Sequence, residues 1–418
     1  MTEIPETEER RQSASGLIDL ASRALGGCVV YANDELFADR RNLIAPGEPV
    51  WTPGTFGPDG KTYDGWETRR RRDEGHDFAI VRLGAAGIVR SLVVDTSFFR
   101  GNYPPFASVE ALAVEGYPSV AELLGAEWTP LVPRSPLKGD AVNAFEAADG
   151  RRWTYVRLSI YPDGGVSRLR VLGSVVPDPR LLSGTVDVMA MQNGGRVLDC
   201  SDMFYSAAAN LIRPGTAATI AEGWETARRR DGGNDWVLFG LAAATRPRLV
   251  ELDTTNFTGN ASGAALVRGI DARALVSGSR DQAAPDASVS GSRSRDQAAR
   301  DTAVPGSRSQ PALDASLSGV RDQTALDAAV SGVGLSAWHE LLPRTRLQPD
   351  TVHRFRVPPE PAVTHVRVDV FPDGGMARVR LFGELEPVAH AELATAFLAV
   401  LPAAHRDAVL AHGDDLIS

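Results

Sequence analysis

Between positions 33 and 102 the chain carries the side-chain types of a hydrolytic site: Asn33, Asp34, Glu67, Arg69, Arg70, Arg72, His76, Asp77 and Asn102. A planar guanidinium holds a carboxylate through a two-pronged hydrogen-bonded fork. Asn, Asp and Glu offer paired acceptors and donors for amide-like N–H and C=O groups. His76, Asp77, Glu67 and Asp34 are the groups that can activate water and protonate a leaving group. Asn33, Arg70, Arg72 and Asn102 are the groups that can hold a substrate. Arg69 to Arg72 are consecutive and cannot all face one pocket. On an extended segment Arg69 and Arg71 point opposite to Arg70 and Arg72, so at least two of the four are solvated or paired with acids.

The elements that must position these residues occur twice. GWETRRRR at 65–72 returns as GWETARRR at 223–230, and DTSFFRGN at 95–102 returns as DTTNFTGN at 253–260, both 158 positions on (65 to 223, 95 to 253). YPDGG at 161–165 returns as FPDGG at 371–375, 210 positions on (161 to 371). An ordered recurrence of polar motifs marks a duplicated domain. The change of offset places an insertion between Asn260 and Trp338, the partner of Trp128, where SGSRDQAAPDASV and related runs follow one another. That segment, 277–332, lacks aromatic residues and buries too little apolar surface to offset its ordering entropy, so a disordered loop is expected. The domains expected are a polar tail 1–15, a first repeat 16–175, a second repeat 184–385 and a helical tail 386–418.

The two copies differ where chemistry matters. His76-Asp77 becomes Asn234-Asp235, Asn33-Asp34 becomes Ser201-Asp202, and Arg69 becomes Ala227. Only the first repeat keeps a side chain that titrates near neutral pH at this place. Glu225, Arg228, Arg230 and Asp235 survive, which leaves a second or shared site open. Several motif residues also have a purely structural reading. Asp95, Thr96, Gly101 and Asn102 suit a turn-closing network, and Gly65-Trp66 suits a turn plus a core aromatic.

Composition narrows the function. The chain has 418 residues, a net charge of −9 and a pI near 5.4, which speaks against nucleic acid as a partner. The N-terminal stretch lacks an apolar core and no run approaches 18 apolar residues, so neither a signal peptide nor a membrane span is expected. Cys28 and Cys200 do not occupy equivalent positions, and two unpaired thiols fit a reducing cytoplasm. No HExxH pattern occurs, so tightly bound zinc is not expected. Asp34, Glu35, Glu67 and Asp77 supply oxygens that suit Mn²⁺ or Mg²⁺, although no spacing demands a metal.

Local patterns are mostly β. FAIVRL (78–83) and IVRSLVV (88–94), separated by GAAG, read as two strands, and Trp153 to Ile160 with Val166 to Leu172 reads as a hairpin closed by the PDGG turn. Helices are expected at Leu17 to Leu25, Ser108 to Val114 and Ala389 to His412. Two antiparallel β-sandwiches follow, one per repeat.

YANDELF (31–37), GWETRRRR (65–72), GHD (75–77), DTSFFRGNYP (95–104) and YPDGGVSRLRVLG (161–173), with their second copies, strongly resemble the allantoicase family. The resemblance covers about 16–175 and 184–385. It implies an all-β chain of two tandem jelly-roll repeats similar to galactose-binding domains, interrupted by the insertion. It also implies hydrolysis of allantoate to (S)-ureidoglycolate and urea by a cytoplasmic enzyme, expected to be a homo-oligomer. Allantoate carries one carboxylate and two ureido groups on a single carbon, which matches the guanidinium, amide and carboxylate set above. Competing expectations are a hydrolase of another ureido or guanidino acid, a non-catalytic jelly-roll binding module and an inactive paralogue. The insertion is expected to be dispensable for activity.

Overall fold

The computed structural model describes residues 17–54, 56–57, 60–61, 63–276, 324–330 and 332–411. The first repeat runs through β1 (Ile18–Asp19), β2 (Cys28–Ala32), β3 (Phe56–Gly57), β4 (Gly60–Lys61), β5 (Trp66–Glu67), β6 (Asp77–Asp95), β7 (Phe106–Leu112), β8 (Thr129–Pro136), β9 (Val142–Glu146), β10 (Arg152–Tyr161), β11 (Gly165–Val166) and β12 (Arg168–Val175). The second follows as β13 (Val186–Asp187), β14 (Arg196–Cys200), β15 (Trp224–Glu225), β16 (Asp235–Asp253), β17 (Ala264–Ile270), β18 (His339–Arg346), β19 (Val352–Arg356), β20 (Val363–Phe371), β21 (Gly375–Met376) and β22 (Arg378–Leu385). Two helices, Pro387–Val400 and Ala403–Ala411, close the described chain.

Strand β6 organises its repeat. The first half pairs with β10 on one side and β2 on the other, and the second half pairs with β12 and β9. One 19-residue strand therefore passes from one sheet of the sandwich into the other. The GAAG segment, read from sequence as a break between two strands, is the crossing itself. A Cβ on Gly84 would stand 2.7 Å from the Gly27 nitrogen, and one on Gly87 would stand 2.2 Å from the Ser174 carbonyl. Glycine is present here because another backbone passes too closely for a side chain. In the second repeat β16, also 19 residues, joins β20 and β14 to β22 and β19 in the same way.

Other expectations need correction. Strands β10 and β12 are not a hairpin: both pair with β6, at opposite ends of it. Ser108 to Val114 is mostly strand β7, because alternation against β10 buries Val109 and Ala111 on one face. Leu17 to Leu25 is β1 followed by a short 3₁₀ turn, Arg23–Leu25. The C-terminal helix is present and is broken at Leu401-Pro402, where proline cannot continue it. A short helix, Val120–Gly125, was not foreseen although Ser119 and Glu122 form its capping box. Most of the insertion lies outside the described residues. Its end is ordered, which corrects the expected boundary: 324–330 is helical, and Leu326 and Val330 pack with Trp338.

A single apolar core runs through both repeats, with Trp66 and Trp224 fully buried at matching places. The turn Met191–Asn193 of the second repeat lies against β6 and β12 of the first and joins them. Cys28 and Cys200 are free thiols, and no described helix is long and apolar enough to cross a membrane.

Candidate functional site

Strands β2 and β10 end, and β6 and β7 begin, at one end of the first sandwich: Ala32 faces Ala79, Ile160 faces Asp77, and Tyr161 faces Phe106. The loops that extend these strand ends carry the candidate residues. Their hub is the turn Pro162 to Gly165, entered through a cis Tyr161–Pro162 peptide. Its Pro162 carbonyl accepts the Asp77 N–H, and Asp163 Oδ2 accepts the Arg71 N–H at 2.8 Å. Gly164 N–H donates to the Thr68 hydroxyl, Gly165 pairs with Glu67 across β5 and β11, and Gly165 N–H donates to the Asn102 carbonyl. Gly164 adopts φ +143°, and a Cβ there would meet Pro104 and the Asn102 carbonyl, so only glycine fits. The turn is scaffold, as its sequence suggests, and it is the scaffold of this site in particular.

Two carboxylates are buried at this end and half-satisfied. Glu67 accepts a 2.6 Å bond from Asn102 Nδ2 on Oε1, while its buried Oε2 has no partner among the described residues. Asp77 accepts on Oδ1 from Arg71 at 2.6 Å and Asn33 at 3.1 Å, while its buried Oδ2 has no partner among the described residues. A buried acceptor without a donor is expensive, and such groups concentrate where a ligand completes the network. Burial pushes the Glu67 carboxyl above its ordinary range, against the opposing bond from Asn102.

The remaining candidates occupy different roles in the geometry. Asp34 is saturated: Oδ1 accepts from the Leu36 and Arg69 backbones, and Oδ2 pairs with the Arg69 guanidinium. Its carbonyl takes the Trp66 indole N–H at 2.8 Å. Asn33 is fully used, donating to Asp77 and the His76 carbonyl and accepting from the Phe78 N–H. Arg71, absent from the sequence-derived set, bridges Asp77 and Asp73. Its retention as Arg229 in the second copy does not single it out, since Arg70 and Arg72 are kept as Arg228 and Arg230. Arg70 and Arg72 are exposed and make no hydrogen bond or ion pair with a described residue. The alternation expected for the four arginines holds, with Arg69 and Arg71 paired to acids.

His76 borders a groove of about 500 Å³ with Ser108, Arg134, Arg157, Ser159 and Tyr161, which neither Glu67 nor Asp77 lines. Its ring packs on Tyr161 at 4.6 Å between centroids. Burial first, then Arg157 and Arg71, push its imidazole below the ordinary value, so it is neutral at neutral pH. Tyr161 and Arg157 were not singled out from sequence, because strand alternation gives no sign of which outer face stays open. The structural reading holds for Asp95 and Thr96: Asp95 Oδ1 closes a turn on the Ser97 N–H, and the Thr96 hydroxyl bonds the Lys138 and Ala141 carbonyls. Asn102, grouped with them, bonds Glu67 instead.

Asp34, Glu35, Glu67 and Asp77 do not converge on a metal position. Glu35 is paired with Arg40 at 3.0 Å and each of the others has the partner given above, and no cluster of three His, Cys, Asp or Glu suited to a metal exists among the described residues.

Comparison with known proteins agrees with the duplication. The allantoicase repeat model matches residues 18–176 and 186–386. A probable allantoicase of Nocardia farcinica is 46% identical over 373 residues, covering 88% of this chain and 94% of that protein. One of Streptomyces coelicolor is 43% identical, covering 90% and 88%, and one of Pseudomonas aeruginosa is 37% identical, covering 88% and 95%. Among solved structures, the allantoicase of Saccharomyces cerevisiae is 26% identical with a TM-score of 0.65, covering 90% of this chain and 97% of that one. A second allantoicase structure is 27% identical with a TM-score of 0.67, covering 92% and 100%.

Proposed function

The chain belongs to the allantoicase family, and from that premise we propose that it hydrolyses allantoate to urea and (S)-ureidoglycolate at the loop end of its first repeat. The observation that carries this reading is the pair of buried carboxylates, Glu67 and Asp77, each with one oxygen tied and one oxygen unpartnered. In the reaction one C–N bond of the substrate breaks and one C–O bond forms from water. The departing urea nitrogen gains a proton and the water loses one. Glu67 is the group suited to both transfers, because its raised pKa brings the protonated form toward the working pH. Protonated Oε2 donates to the leaving nitrogen, and the carboxylate then accepts from the incoming water. Asp77 Oδ2 accepts a ureido N–H, and Arg70 with Arg72 supplies the guanidinium for the substrate carboxylate.

Asn33, Asn102, Asp34 and Arg71 act as positioning residues, because they hold the carboxylates and loops in place through Asn33 Nδ2, Asn102 Nδ2, the Asp34 carboxylate and Arg71 Nη1 and Nη2. Neutral His76 is a second proton acceptor at the groove beside the turn. No step is routed through a metal, and dependence on Mn²⁺ or Mg²⁺ is read from the EDTA arm of the test below. The net charge of −9 and the two free thiols support a cytoplasmic protein without nucleic-acid partners, and a homo-oligomer is part of the same proposal.

The test is urea release from allantoate by the purified chain, with and without EDTA, beside Glu67→Gln and His76→Ala. Urea from the wild type and a loss of ~10²–10⁴-fold in folded Glu67→Gln support the assignment. A folded wild type that releases none, even with Mn²⁺ supplied, overturns the activity. Loss with EDTA overturns the metal-free route.

A further inference from the structure

A second cleft, of about 610 Å³, opens midway along β6 and shares no lining residue with the groove at His76. Its nearest β6 residue, Arg82, lies five positions from Asp77, ~17 Å along an extended strand. Both repeats and the last helix build it, through Arg82, Arg152, Arg180, Gln192 and His405.

Arg152 is 7% exposed, and its guanidinium uses Nε alone, on the Val176 carbonyl at 2.8 Å. The plane rests over Phe397 at 5.0 Å, and neither outer nitrogen bonds a described residue. The two nearby carboxylates are already taken. Glu115 pairs with Arg180 at 2.9 Å and His405 at 3.0 Å, and Asp178 pairs with Arg180. Three guanidiniums thus face two carboxylates. Burial pushes Arg152 down to about 10, as expected of a buried cation that lacks a counter-ion. In the same cleft the buried Gln192 Oε1 has no donor among the described residues. A two-nitrogen fork without an anion and an amide oxygen without an N–H define the missing partner.

The equivalent place in the second repeat carries different cations and its own carboxylate. Arg82 faces Cys28 and Tyr155 across the sheet of the first repeat, and Gly240 faces Arg196 and His365 at the equivalent place in the second. There Asp327, on the helix at 324–330, pairs with Arg196 and with His365 at 3.0 Å. Ala362 stands where Arg152 does in the first repeat, so the second repeat has no arginine there to leave without an anion.

We propose that the Arg152–Gln192 cleft binds a small carboxylic acid that also carries an amide-type N–H, as a site separate from the Glu67 end. The carboxylate sits on the free edge of Arg152 and the N–H donates to Gln192 Oε1. The probe is N-carbamoylglycine, titrated calorimetrically into the full chain, with acetate as the partner lacking the N–H. An Arg70→Ala/Arg72→Ala background removes the carboxylate anchor of the other site. One equivalent is expected to bind in that background, roughly tenfold more weakly with Arg152→Met added, since charge-assisted forks are the strong hydrogen bonds. Gln192→Met breaks no bond of the protein, so it keeps the fold even where Arg152→Met does not. It is expected to weaken N-carbamoylglycine about fivefold while leaving acetate unchanged. Absence of binding in the Arg70/Arg72 background, or binding indifferent to Gln192→Met, overturns the proposal and leaves a cleft that holds solvent only. Urea release by the wild type is scored separately, so failure here and failure of the catalytic reading are distinguishable.

Discussion

The loop ends of the two repeats share one frame and differ in what the frame holds. Glu67–Asn102 has its copy in Glu225–Asn260, Arg71–Asp77 in Arg229–Asp235, and Asp163 on the Arg71 backbone in Asp373 on the Arg229 backbone. Both core tryptophans donate to an Asp carbonyl, Trp66 to Asp34 and Trp224 to Asp202. The outer-face groove differs. In the first repeat His76, Ser108 and Ser159 border open space. In the second the same positions are Asn234, Leu266 and Asp369, and Glu110 is replaced by Arg268. Asp369 is 3% exposed and is claimed by Arg268 at 2.7 Å, Arg367 at 3.0 Å and Asn234 at 3.1 Å. The second groove is filled with a network that satisfies itself. The carboxylates and arginines of the loop end are thus kept in both copies, and what separates the copies is the outer-face groove, open beside His76 and filled beside Asn234.

The most direct way to break this asymmetry is to neutralise the equivalent carboxylates one at a time. Glu67→Gln is expected to lower kcat ~10²–10⁴-fold, the range for loss of a general acid–base. Glu225→Gln, whose side chain is less buried, is expected to leave kcat within about twofold by the same reasoning. Equal losses in urea-release kinetics would mean that both repeats are catalytic. The next largest effect is expected on KM. Replacing Arg70 and Arg72 with Ala should raise KM for allantoate about 10- to 10²-fold per guanidinium that touches the carboxylate, at about 1.5–3 kcal/mol for a hydrogen bond to a charged group. The same change at Arg228 and Arg230 should leave KM unmoved.

Much of this contrast was legible before the structure. Ordered motif recurrence marked the duplication, and His76-Asp77 against Asn234-Asp235 pointed to the first copy. Alternation within Arg69 to Arg72 separated the paired arginines from the exposed ones. Sequence could not show that Asn33 and Asn102 spend their amides on Asp77 and Glu67, because bonding partners 35 and 44 positions away are set by the fold. Nor could it show that GAAG is a crossing. Glycine reports a tight place without saying whether a turn or a passing backbone makes it so. Strand β7 was misread as helix because its pattern repeats over too few residues for period two to be told from 3.6.

Exchanging the titrating residue itself sharpens the comparison. His76→Asn installs the second repeat's side chain in the first. His76 sits below the ordinary histidine value, so its neutral form persists well into mildly acidic solution. As a base it is lost only as pH falls through that lowered pKa, so the wild-type rate should decline on the acid side. In His76→Asn that decline should vanish from the pH–rate profile, with a plateau about tenfold lower, a modest case of lost proton acceptance. An unchanged acid limb would assign the titration to another group.

The smallest effect concerns the region that most distinguishes the second repeat in length. Replacing 277–323 with a short Gly-Ser linker should leave urea release intact, with a stability change of ~0.6 kcal/mol or less per doubling of loop length. Extending the deletion through 332 should not be so mild. It removes Leu326 and Val330 from their packing with Trp338, and it takes Asp327 away from Arg196 and the fully buried His365. Losing buried Val330 alone removes about 1.5–3 kcal/mol, and partly buried Leu326 adds less. Leaving Arg196 and His365 without their carboxylate adds to that cost. A thermal melt that ranks the two deletions in this order would fix the boundary between insertion and domain at residue 324. Equal melts would return the whole of 277–332 to the insertion.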